Sequence, residues 1–168
     1  MRLFQGRVAY RPTTSTLVRE RRKRAAVDCL TVMRTLIVDD EPLAIEGLRR
    51  LLEHEPDIEI VGEARDGDEA LTRIQDLQPD LVFMDVEMPG RDGFDVVHRT
   101  ALEHQPLFVF VTAHSERGPE AFDVNAVDYL LKPVMPARLQ EALRRVRLSL
   151  DDERDGGDED AGRAPGRA

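Results

Sequence analysis

The stretch LVFMDVEMPGRDG, from Leu81 to Gly93, decides how this chain is read. Four apolar residues, Leu81 to Met84, have the length and content of a buried strand. Asp85 and Glu87 arrive just past its end. Carboxylates beside a dry core are costly unless they are paired, hydrogen-bonded or bound to a metal. The rest of the chain must therefore supply a charge for them to meet. Pro89-Gly90 and Asp92-Gly93 read as ordinary turn dipeptides closing the stretch.

Outward from it the pattern alternates. Leu36-Ile37-Val38 and Ile58-Glu59-Ile60-Val61 are strands upstream, and Leu107 to Val111 and Val127 to Leu131 are strands downstream. Ile45, Leu48, Leu51 and Leu52 recur at helical spacing, with Pro42 suited to the first turn. After an Asp66-Gly67 turn, Ala70, Leu71 and Ile74 mark a second helix, and Phe94, Val96 and Val97, with Ala101 as a further candidate, mark a third. Ala121, Phe122 and Val124 suggest a short fourth helix, and Leu139, Ala142, Leu143, Val146 and Leu150 form the stripe of a fifth. Five strand–helix alternations within 33–150 call for an α/β fold, a parallel sheet with helices on both faces. In such a doubly wound sheet the site forms outside the carboxyl ends of the strands.

Those ends carry chemistry. Strand one ends in Asp39-Asp40-Glu41, strand three in Asp85, strand four in Thr112-Ala113, and strand five leads to Lys132-Pro133. Three converging carboxylates repel one another, and a hard divalent cation relieves that repulsion; Mg²⁺ favours one or two carboxylates with phosphate oxygen and water. Lys132 adds a point charge, Thr112 a hydroxyl donor, and Asp85 a possible nucleophile. Taken singly each has a plainer reading. Asp39 or Asp40 could cap the helix near Pro42, Lys132 could be a solvated side chain, and Thr112 a strand residue. Their coincidence at strand ends favours a site for a tetrahedral dianion beside a metal.

Charge is uneven. Residues 1–32 carry +6 and 151–168 carry −4, so the formal −9 leaves −11 on 33–150. A segment that acidic is a poor nucleic-acid binder, because phosphate contacts need Lys and Arg. Residues 1–32, with their RERRKR run, read as a disordered basic extension, and Met33 is a candidate true start. Residues 151–168 read as a flexible acidic linker or tail. There is no membrane-length apolar run and no signal-peptide core, and Cys29 has no internal partner for a disulfide. These features fit a cytoplasmic protein, and the arginine bias, with Lys23 and Lys132 the only lysines, fits a GC-rich bacterial genome.

The motifs LIVDDEP, LVFMDVEMPGRDGFDV, FVFVTA and AVDYLLKP together resemble the receiver domain of bacterial two-component response regulators, from about Arg34 to Leu150. The wording AFDVNAVDYLLKP is similar in particular to regulators with a LytTR-type DNA-binding output. The resemblance implies a flavodoxin-like doubly wound (βα)5 three-layer sandwich with sheet order 2-1-3-4-5. It implies that Asp85 accepts a phosphoryl group from a sensor histidine kinase. Asp40 would bind Mg²⁺ directly, Asp39 would help, and Glu87 would offer its backbone carbonyl. Lys132 would pair with the phosphoryl oxygens, Ala113 would leave room for them, and the bond to Pro133 would be cis. Thr112 and Tyr129 would switch together. The face of fourth helix, fifth strand and fifth helix, bearing Phe122, Asn125 and Tyr129, would form a homodimer or output surface. Such a chain is not a conventional enzyme, and DNA would be reached only through an output domain that this sequence does not contain.

Two departures stand out. Residues 1–32 have no counterpart in the receiver pattern, and Gly118-Pro119 fall where the fourth helix should begin. A receiver acting alone by protein contact is the second reading of the output. A haloacid-dehalogenase-like Mg²⁺-dependent phosphatase is a remote third, since Glu87 stands where its motif has a second Asp. A flavodoxin-like cofactor binder would need a phosphate loop where Asp39-Asp40 stand. His54, His98, His104 and His114 show no metal-ligand spacing and read as surface residues.

Overall fold

The computed structural model describes residues 32–100, 105–114, 124 and 126–155. Five strands, β1 (Met33–Val38), β2 (Ile58–Ala64), β3 (Leu81–Met84), β4 (Leu107–Thr112) and β5 (Asp128–Leu131), form one sheet in the order β2-β1-β3-β4-β5. Every neighbouring pair is parallel. The described helices are α1 (Pro42–Leu52), α2 (Gly67–Leu77), α3 (Gly93–Arg99) and α4 (Pro136–Asp155). The short helix expected around Ala121 and Phe122 lies outside the described residues, as does Ala101, and Val124 lies in a turn.

Side chains alternate across the sheet with the strand period of two. Leu36, Val38, Val82, Met84, Phe108 and Phe110 face one way and pack with Ala70 and Ile74 of α2 and with Phe94, Val96 and Val97 of α3. The Phe94 and Phe110 rings meet at a tilt of 48°, with centroids 4.5 Å apart. Ile37, Leu81, Phe83, Val109 and Val111 face the other way, against Ile45, Leu48 and Leu52 of α1 and Leu139, Ala142, Leu143 and Val146 of α4. The result is the expected flavodoxin-like three-layer sandwich. Strands buried on both faces explain why β3 reads as an unbroken apolar run.

Several boundaries differ from the sequence expectation. Asp66-Gly67 and Asp92-Gly93 start helices instead of turns: Asp66 accepts the Glu69 N–H, Asp92 accepts the Asp95 N–H, and the glycines are the first helical residues. Neither Asp39 nor Asp40 caps α1, whose cap position is Glu41, without a side-chain hydrogen bond. Helix α4 continues to Asp155, five residues into the segment expected to be flexible. Propagation adds a hydrogen bond per residue once the preceding turns are docked, so a polar extension costs little. Residues 156–168 and 1–31 lie outside the described residues.

The chain crosses from β1 out to β2 and then returns to β3 on the other side of β1. That reversal is the switch point at which such sheets open a crevice. Asp39 and Asp85 flank it.

Candidate functional site

Each site residue is delivered by a strand that has run out of partners. The Asp85 N–H donates to the Val38 carbonyl at 2.8 Å, and the Asp39 N–H donates to the Ala64 carbonyl at 3.0 Å, so both are the last paired residues of their strands. The Lys132 N–H donates to the Thr112 carbonyl at 2.8 Å, closing the β4–β5 ladder in the same way. The Lys132–Pro133 bond is cis, as expected.

These ends converge. Asp39, Asp40 and Asp85 each offer a carboxylate oxygen, and the three oxygens lie within 4.8 Å of one another. Lys132 Nζ stands 2.8 Å from Asp39, 2.9 Å from Asp85 and 3.2 Å from Glu41. The Asp39 and Asp85 side chains are about 95% buried, at 6% and 5% exposure, while Asp40 is more open. Asp39 Oδ1 also accepts the Glu41 N–H, and Asp85 Oδ1 the Glu87 N–H.

One ammonium serves more carboxylates than it can neutralise. Burial pushes the Asp39 carboxyl above its usual range; hydrogen bonds from Lys132 and the Glu41 N–H pull it back, and the Asp85 charge pushes it up again. Burial works against the Lys132 ammonium, yet hydrogen bonds to Asp39 and Asp85 and their charges hold its pKa above the ordinary value. An all-oxygen, net negative donor set of this kind suits a hard divalent cation of the Mg²⁺ class.

Glu87 is expected to offer the metal its backbone carbonyl, not its side chain. The Glu87 side chain is exposed and reaches His114 instead, with Oε2 2.9 Å from Nε2. Thr112 is fully buried, and its hydroxyl accepts the His114 N–H at 3.3 Å. The Tyr129 hydroxyl donates to the His114 carbonyl. Phe122 and Asn125 lie outside the described residues.

Three participants had no individual site role in the sequence reading. Glu41 adds a third carboxylate to Lys132, and only its place next to Asp40 hinted at that. His114 meets Glu87 although nothing in their separation suggests it. Gly93 makes room at the site: a Cβ there would stand 2.3 Å from the Asp85 carbonyl oxygen.

The chain is similar to known proteins. The model of the response regulator receiver domain family matches residues 35–144. Transcriptional regulatory protein BtsR of Salmonella typhi is 47% identical over 116 residues, which cover 69% of this chain and 48% of BtsR. The chain thus spans about half the length of the curated relatives it matches. Among solved structures, the REC domain of AraT, a response regulator from Geobacillus stearothermophilus, aligns with TM-score 0.66 and 35% identity, covering 73% of this chain and 98% of that one. The response regulatory domain of mrkE from Klebsiella pneumoniae aligns with TM-score 0.66 and 34% identity, covering 71% and 99%.

Proposed function

The chain belongs to the response regulator receiver domain family, and on that premise we propose that Asp85 is the phosphoacceptor of a two-component relay. The observation that carries this is the gathering of Asp39, Asp40 and Asp85 within 4.8 Å at the ends of β1 and β3, with Lys132 Nζ 2.9 Å from Asp85. The donor is the phosphohistidine of a sensor kinase. An Asp85 oxygen attacks phosphorus, the P–O bond forms as the P–N bond breaks, and the imidazole leaves with the electron pair.

Asp40, Asp39 and Asp85, with the Glu87 carbonyl, would hold Mg²⁺. Bound there, the ion would neutralise charge on the carboxylates and on the transferring group. Lys132 does the same from the β5 side, in a site dry enough for charge to count. Phosphorylation replaces one negative charge by nearly two and adds acceptor oxygens. Lys132 and the Thr112 hydroxyl then have a partner that exists in one state only. That differential contact is what can shift the equilibrium of the β5–α4 face, with Tyr129 following Thr112.

The relatives support a reading of the output. BtsR is a transcriptional regulator about twice as long as the matched segment, which supports a transcriptional output. The wording AFDVNAVDYLLKP supports a LytTR-type DNA-binding domain as its form. The dimer or output surface would be the face of β5 and α4 together with the short helix expected before β5, around Ala121 and Phe122. No described helix is long and apolar enough to cross a membrane. The reading places the domain in the cytoplasm beside its kinase.

Incubation with Mg²⁺ and a small phosphodonor should give a protein carrying one phosphoryl group, and Asp85→Asn should give none. Steady hydrolysis of a phosphomonoester over many turnovers, with no phosphoprotein accumulating, would refute the relay in favour of a phosphatase.

A further inference from the structure

The loop between β3 and α3 carries Glu87, and its ends are fixed by ordinary means. Asp85 is tied to β1 through the Val38 carbonyl, and Asp92 caps α3. Val86 and Met88 are buried on either side of Glu87. The outer limb, Pro89 to Arg91, turns at Gly90 with φ +83° and closes with the Arg91 N–H on the Pro89 carbonyl. What holds that limb is helix α2. Arg91 Nε and Nη2 both donate to Asp68 Oδ1, at 2.9 and 2.8 Å, on the first turn of α2. The limb also lies against Gly67, where a Cβ would stand 2.7 Å from Arg91 Cβ and 2.8 Å from the Arg91 carbonyl oxygen.

We propose that Arg91 and Asp68 are positioning residues: their ion pair, seated over Gly67, sets the loop that brings Glu87 to the metal, and so sets the affinity for Mg²⁺. This rests on the metal reading of the Asp39–Asp40–Asp85 cluster, with the Glu87 carbonyl as a further ligand. Neither side chain contacts that cluster; both act through four residues of backbone. The asymmetry of burial supports the role. Arg91 is packed, at 26% side-chain exposure, whereas Asp68 is 76% exposed. The guanidinium therefore belongs to the body of the loop, and Asp68 is a post on a rigid helix, its charge favoured at the helix N-terminus. A pair this open is screened, so its leverage is modest.

The test is calorimetric titration of Mg²⁺ into the folded domain, with urea unfolding of each variant in parallel. Arg91→Gln and Asp68→Asn are each expected to weaken Mg²⁺ binding about three- to fivefold, the range that a partly exposed pair can supply. The double variant should be no weaker than the worse single, because both remove the same constraint. A purely structural pair would shift the urea midpoint and leave the affinity of the folded protein unchanged; that result, or additive losses in the double variant, overturns the proposal. Asp40→Asn serves as the control. Should the unaltered domain bind no Mg²⁺, or Asp40→Asn bind it undiminished, the metal reading itself falls and takes this proposal with it.

Discussion

Lys132 lies within 3.2 Å of Asp39, Glu41 and Asp85, and one ammonium cannot neutralise all three. Lys132→Met would leave two buried carboxylates facing each other without a cation. We expect it to lower unfolding stability by about 2–3 kcal/mol, with part of the loss recovered on adding Mg²⁺, as read by urea unfolding with and without the ion. Gly93→Ala would drive a methyl group to 2.3 Å from the Asp85 carbonyl oxygen, backbone that has little freedom to move. The same assay should show a loss of about 2 kcal/mol or more. These residues differed in legibility. Asp39, Asp85 and Lys132 could be picked out because each closes an apolar run. Gly93 looked like half of a turn, since the close approach of this helix start to the end of β3 exists only after folding.

Helix termini set the next scale. Helix α2 ends on Gln78 in the left-handed region, φ +49°, where a side chain is strained. Gln78→Gly should therefore stabilise the domain by about 0.5–1 kcal/mol in thermal or urea unfolding. Helix α4 is fastened just past its midpoint by Arg147, which donates to Asp57 at 2.7 and 2.8 Å and to Glu55 at 2.8 Å. The Arg147 hydrogen bond holds the Asp57 carboxyl below its ordinary value of 3.8, against the opposing effect of burial. A depressed carboxyl stabilises the fold in full above that ordinary value, and the contribution disappears as pH falls through the folded-state value. Arg147→Gln should thus cost about 1–2 kcal/mol at pH 7. The gap to the unaltered protein should narrow below about pH 4. Strand cores were legible from apolar runs, but β2 extends to Ala64, through Gly62 and Glu63, because an edge strand tolerates polar and small residues that break the pattern.

At the scale of the molecule, residues 33–150 carry −11, and three of those charges converge on one crevice. A ligand that binds only the folded state stabilises it by mass action. Mg²⁺ at a hundred times its dissociation constant should add about 2.7 kcal/mol, visible as a raised melting temperature that Asp40→Asn abolishes. The parallel sheet was legible from five strand–helix alternations, and the convergence of Asp39, Asp40, Asp85 and Lys132 at its strand ends came with it. The order 2-1-3-4-5 was implied only by the resemblance to receiver domains. The Arg91–Asp68 contact, 23 residues apart in sequence, was not, since surface ion pairs leave no periodic trace. The central claim is that Asp85 takes the phosphoryl group. Its most direct measurement is borohydride reduction of the protein after reaction with Mg²⁺ and a phosphodonor, followed by peptide mass mapping. The account predicts homoserine at position 85 alone; reduction at another carboxylate, or none at Asp85 in protein that carries phosphoryl groups, would contradict it.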